Sequence, residues 1–138
     1  MSIVQTQTTS FKKELYQAVH NLSTDSIYIA LYTGNASLGA DTTVYTTSNE
    51  VVATGYTAGG QALTGVAISS SDYTAYVNWA NVTWTAALTA RCALIYNVTQ
   101  GNKSIAVIDF GADKTSTTTF TITMPSNTST TALIRSSN

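Results

Sequence analysis

Apolar residues change their spacing along this chain near Ile27. Before that point Phe11, Leu15, Val19 and Leu22 recur at intervals of four, four and three, with Lys12, Lys13, Glu14 and Gln17 between them. Such spacing lays one apolar stripe along a helix, so it predicts an amphipathic helix over residues 10–22 behind an arm over residues 1–9. Ser10 is the expected N-cap, and Glu14 lies near the positive end of the helix dipole.

From Ile27 to Tyr32 the period is two, with Ile27, Ile29 and Leu31 on one face and Tyr28, Ala30 and Tyr32 on the other. Residues 33–45 contain Gly34, Asn35, Gly39, Ala40 and Asp41 and read as a long loop. A short strand is expected over residues 50–53 and a flexible turn over the glycine-rich residues 55–60. Val66 and Ile68 place a strand within residues 63–69, and residues 69–72 read as its connection to the next. There Tyr73, Ala75, Val77 and Trp79 alternate with Thr74, Tyr76 and Asn78. Both faces carry an aromatic, which fits a strand covered on both sides or one that offers Tyr76 to a partner. Val82 and Trp84 continue the alternation, and the expected place of both tryptophans is the core.

Residues 88–96 and 104–110 are apolar runs separated by a segment whose Gly101 and Asn102 suit a turn, so they predict a hairpin with Ile108 at a core position. Residues 111–114 read as a break, Phe120, Ile122 and Met124 as a strand closed by Pro125, and residues 132–135 as the last strand. About seven to nine short strands at such intervals predict an all-β fold. The expected form is a single β-sandwich or jelly-roll-like domain over residues 1–138, with one short N-terminal amphipathic helix.

Composition supports strands and limits the partners. Thr occurs 26 times and Ser 15 times, and β-branched Thr suits a pleated, half-buried surface. Only 9% of residues are charged, against about 25% in an average soluble domain. A surface with few charges is weakly protected against association, which favours assembly. The net charge is −1 and no stretch concentrates Lys or Arg, so nucleic acid is not an expected partner. No apolar run approaches the length of a membrane helix, and the N-terminal residues lack the basic start and apolar core of a secretion signal. The Asn-x-Ser/Thr triplets at Asn21, Asn35, Asn81, Asn97, Asn102 and Asn127 are what a Ser/Thr-rich chain contains by chance, and without a secretory route they imply no glycosylation.

The chemistry-bearing residues are few. His20 is the sole imidazole and, without a second His or a nearby Cys, is expected to cap the helix or lie on the surface. Cys92, flanked by Ala93 and Leu94, reads as a buried small hydrophobe. Asp109 with Asp113, or Asp41 with Glu50, are the pairs that could supply two carboxylates for glycoside chemistry, yet Asp at turns usually serves the backbone. A calcium site would need six to eight oxygen ligands, and no acidic loop repeat supplies them. No catalytic residue, cofactor or metal is therefore expected. Exposed Tyr or Trp near residues 34–41 or 55–60 could stack on sugars.

The segments ALYTGNASL, TTSNEVVATGYTAGG, TARCALIYN and VIDFGADK resemble pieces of a family of small proteins encoded in the structural modules of tailed bacteriophages, whose typical forms are ALYT, TTNEV, GTGYTAGG, TARGALIYN and VLDFGSDK. The similarity spans nearly everything after the first ten residues, and Cys92 stands where relatives often have Gly. The resemblance implies a non-enzymatic virion component, assembled in the host cytoplasm, and carries over no catalytic residue. The leading expectation is a capsid decoration or cement protein that binds the phage major capsid protein and stabilises the head as a homo-oligomer, often a trimer among such proteins. The alternatives are a neck, tail or baseplate protein, and a host carbohydrate-binding receptor module.

Overall fold

The computed structural model describes residues 3–137. In chain order the elements are β1 (Thr6–Gln7), α1 (Thr9–Tyr16), β2 (Ile27–Tyr32), β3 (Gln61–Ala62), β4 (Ala67–Ser71) and β5 (Thr74–Asn78). They continue with β6 (Val82–Trp84), β7 (Thr89–Asn97), β8 (Lys103–Thr115), β9 (Phe120–Ile122) and β10 (Ile134–Ser137). The fold is all-β with one short helix, as the periodicity predicts.

A five-stranded antiparallel sheet, ordered β1-β8-β7-β2-β3, forms the centre. The expected hairpin is β7–β8, turned where Gly101 and Asn102 take φ of +70° and +63°. Alternation along β2 divides its side chains as the sequence implies. Ile27, Ile29 and Leu31 join Ala93 and Ile95 in one core cluster, whereas Ala30 and Tyr32 join Cys92, Leu94 and Val107 in another. Because both faces are covered, β7 reads as a continuous apolar run and not as an alternation.

Different structures cover the two faces. Over the first lie a two-stranded sheet, β6-β9, and a three-stranded sheet, β10-β5-β4, which contribute Trp84, Phe120, Ile122 and Ile134 to the shared core. Trp79 and Trp84 are both buried, as expected. Over the second face folds the first part of the segment between β2 and β3, which buries Ala36 and Leu38 against the sheet, with Tyr45 and Ile3 packed alongside, while Val51 and Tyr56 further on join the first-face core.

Several boundaries differ from expectation. The helix ends at Tyr16, and its N-cap is Thr8, whose hydroxyl accepts from the Phe11 amide at 3.3 Å. At the other end Ala18 takes φ +59°, and the amides of Ala18 and Val19 return to the carbonyls of Leu15 and Glu14 at 3.2 and 3.0 Å. This closure stops the helix without the usual glycine, so no residue type announced it. Only Phe11 of α1 is buried, and Leu22 reaches the core from a loop. Within the expected arm, Thr6 and Gln7 are sheet residues paired with Val107 and Ala106, while residues 1 and 2 lie outside the described residues.

Residues 50–53 form only isolated bridges, Tyr32 with Glu50 and Ala53 with Tyr56. Residues 69–71 belong to β4, and the connection to β5 is Asp72–Tyr73 alone, with Asp72 at φ +56°. Residues 111–114 do not break the chain but continue β8 through a bulge. Between the pairs Cys92–Asp109 and Ala90–Lys114, β7 has the single residue Arg91 where β8 has residues 110–113. Gly111 absorbs the bend at φ +83°. Ile108, next to that bulge, is half-buried at the rim of the core.

Candidate functional site

Two networks engage most of the interior polar side chains, while Asn78 Oδ1 and Trp84 Nε1 are buried without a hydrogen-bond partner among the described residues. Glu50 is 7% exposed, and its carboxylate accepts three hydrogen bonds: from Tyr45 Oη at 2.6 Å, Tyr56 Oη at 2.6 Å and the Gly59 amide at 2.7 Å. Tyr56 Oη also accepts from the Leu31 amide of β2 at 2.9 Å. Tyr96 donates to the Gly59 carbonyl at 2.6 Å and stacks on Tyr45 with ring centroids 4.7 Å apart. Gly60 presses so closely on β2 that a Cβ there would lie 1.8 Å from the Ile29 carbonyl oxygen, and its φ is +81°. Together these contacts clamp the second-face covering onto the central sheet.

Burial, reinforced by the Glu50 charge, raises the phenols of Tyr32, Tyr45 and Tyr56 well above the ordinary value and pushes Tyr96 up to about 12. All four hydroxyls therefore remain neutral donors near pH 7. A carboxylate satisfied by three donors is a structural acceptor.

A second network holds α1 to the end of β7. His20 is buried at 8% exposure, which corrects the expected capping or surface role. Asn97 Nδ2 lies 2.9 Å from His20 Nδ1 and donates to it, so the ring proton sits on Nε2 and is donated to Glu14 Oε1 at 2.8 Å. The Asn97 amide also donates to Asp25 Oδ2 at 2.9 Å, and the Asn21 amide donates there at 3.0 Å. Burial pushes the Asp25 carboxyl up, but hydrogen bonds from Asn21, Asn97 and Gln100 outweigh it and hold the group below its usual value.

The remaining expected candidates do not come together as a reactive centre. Cys92 is fully buried, and burial pushes its thiol up to about 12, which suits a small core side chain. Asp109 Oδ1 accepts from Arg91 Nε at 3.2 Å and from the Gly111 amide at 2.8 Å, so it braces the bulge, while Asp113 is exposed. Asp41 is exposed and Glu50 enclosed, so those two form no dyad. Among the described residues no group of three or more His, Cys, Asp and Glu is placed to hold a metal ion. No described helix is long and apolar enough to cross a membrane.

The outward-facing features lie elsewhere. A groove of about 730 Å³ runs between α1 and one face of the β10-β5-β4 sheet. The register Ile134–Val77–Ile68 places one apolar row across that face, from a buried position on β10 to a half-exposed one on β4. Leu15 at 41%, Ile68 at 53% and Tyr16 at 94% exposure form the groove's accessible apolar surface. Sequence reasoning assigned Leu15 to the core and passed over Tyr16. The available signal was that two adjacent large residues in a short helix cannot both face inward. Tyr76 also lines the groove and is half-buried, between the two expected alternatives.

Comparison with protein-family models, curated proteins and solved structures finds no match to this chain.

Proposed function

We propose that this chain is a non-enzymatic structural component of a tailed-bacteriophage particle, a capsid decoration protein that docks on the major capsid protein at the head surface. The observation that carries docking is the apolar groove of Leu15, Tyr16 and Ile68 on a surface with few charges. The sequence segments that resemble tailed-phage structural proteins supply the particle. Weak contacts of this kind gain strength when repeated around a symmetric shell.

The host-glycan reading has less support, because the rings near residues 55–60 are turned to internal work: Tyr56 on Glu50 and Tyr96 on Gly59. The test is to add purified protein to preformed heads that lack it. Saturable binding and greater resistance of the heads to heat are expected, and binding should weaken when Leu15 and Tyr16 are replaced by Ser. Equal head stability with and without the protein would overturn the reading. Copy number separates the positions: on the order of hundreds per particle supports the head, and about six or twelve supports a neck or tail ring.

A further inference from the structure

We propose that the free edge of β4 pairs antiparallel with β4 of a second copy of this chain, about a two-fold axis through Ser69. Among the described residues the other sheet edges are short, bridged or charged, and the outer side of β8 beyond its two pairs with β1 carries Asp109, Asp113, Lys114 and a bulge. β1 and β3 have two residues each, β6 and β9 three each, and the outer side of β10 is reached by Gln7, whose Nε2 donates to the Arg135 carbonyl at 2.8 Å. β4 has five residues, all exposed, with no charge and no Pro among them. It therefore lacks the devices that usually protect an edge from pairing.

The register argues for a second copy as the occupant. β4 and β5 are joined by two residues, so Ser71–Thr74 is the hydrogen-bonded closing pair. Alternation from there turns the peptide groups of Ser69 towards β5 and those of Ile68 and Ser70 outward. A two-fold axis at Ser69 sets Ile68 opposite Ser70 of the second copy, so the outward groups are those that meet. Four backbone hydrogen bonds result. Asp72 falls opposite Val66, and no charge meets a like charge. Shifting the axis to Ser70 would draw Asp72 and the turn into the ladder. The Ser69 register also makes the two Ile68 side chains diagonal neighbours on one face, covering surface that is 53% exposed in the single chain. The two grooves then open on the same side of a continuous six-stranded sheet.

The contact is smaller than the roughly 800 Å² per partner of a standard interface, so the purified chain should dimerise in a concentration-dependent way. In this register the two Ser69 residues form a non-hydrogen-bonded pair about 4.5 Å apart at Cα, within the range a disulfide spans. Mild oxidation of a Ser69→Cys variant should give a covalent dimer. Ser70→Cys, offset from its mate by two positions, should cross-link about tenfold more slowly or less. Adding Ile68→Lys to Ser69→Cys should slow cross-linking by about tenfold through like-charge repulsion. Cys92 is buried, and the wild-type chain serves as the control for it. Equal rates for the two cysteine variants, no cross-link at all, or sedimentation of the wild type as a monomer throughout or as a trimer would overturn the proposal. These measurements use the isolated chain, so they can fail while docking on heads succeeds, and the reverse.

Discussion

Two sets of three neighbouring antiparallel strands, β2-β7-β8 and β10-β5-β4, meet different fates in this molecule. Both are antiparallel throughout, the first with register shifts beside Arg91 and between Ile95 and Tyr96, the second without a break. In the first, Ile29, Leu31, Leu94, Ile95 and Ile105 are wholly buried. In the second, burial fades from Ile134 to Ile68 along a single cross-strand row, and every residue of β4 is exposed. Strand pairing is thus a property of backbone and turns, whereas burial depends on whether another part of the chain arrives to cover the face.

The comparison can be broken most severely at Gly60. Replacing it with Ala forces a Cβ into the Ile29 carbonyl at a positive φ, so a loss of more than about 4 kcal/mol, seen as failure to fold in a denaturant titration, is expected. Leu94→Ala, wholly buried in β7, should cost about 2–5 kcal/mol through lost burial and the cavity left behind. Glu50→Gln keeps the shape of the clamp but offers a donor where Tyr56 and Gly59, or Tyr45, need an acceptor, and about 1–3 kcal/mol should disappear from the same titration.

Alkali probes the same central region. Tyr32, Tyr45, Tyr56 and Tyr96 have raised phenols in the folded state, so the fold holds those protons more tightly than the unfolded chain does. Their contribution is complete below the ordinary phenol value of about 10 and is lost as pH rises beyond it. The melting temperature should accordingly fall above about pH 10, and a level profile to pH 11 would contradict the buried tyrosine clamp. The smallest effect belongs to the outer sheet: Ile68→Ala should change stability by less than about 1 kcal/mol, because much of that side chain is already in water. A cost matching that of Leu94→Ala would erase the contrast between the regions.

The legible part of the fold is the part governed by local geometry. β2 has the bounds that its alternation predicts, and its two faces separate into two cores as Ile29 and Ala30 suggest. The β7–β8 hairpin follows from two apolar runs and a turn at Gly101 and Asn102. The spacing predicts a longer helix than forms, because Leu15, Val19 and Leu22 keep helical spacing across a stop formed by Ala18, a residue with no marked preference for that backbone conformation. The bulge in β8 is not distinguishable from a break in the sequence, because Gly111 serves either purpose. Within the candidate site, Ile68 was visible as a strand residue, but its exposure was not.

Sequence by itself determined which residues share a strand face, where the main hairpin turns, and that few charges would stand at the surface. Those properties follow from the two-residue repeat of an extended backbone and from composition, and neither needs distant parts of the chain. Tertiary structure alone decided that residues 36–45 would seal one side of the central sheet while Val51 and Tyr56 join the core on the other, that Glu50 would collect donors from Tyr45, Tyr56 and Gly59, and that β4 would remain uncovered. Each of these depends on segments remote in sequence meeting in space, and a one-dimensional pattern of apolar and polar positions does not record which of them meet.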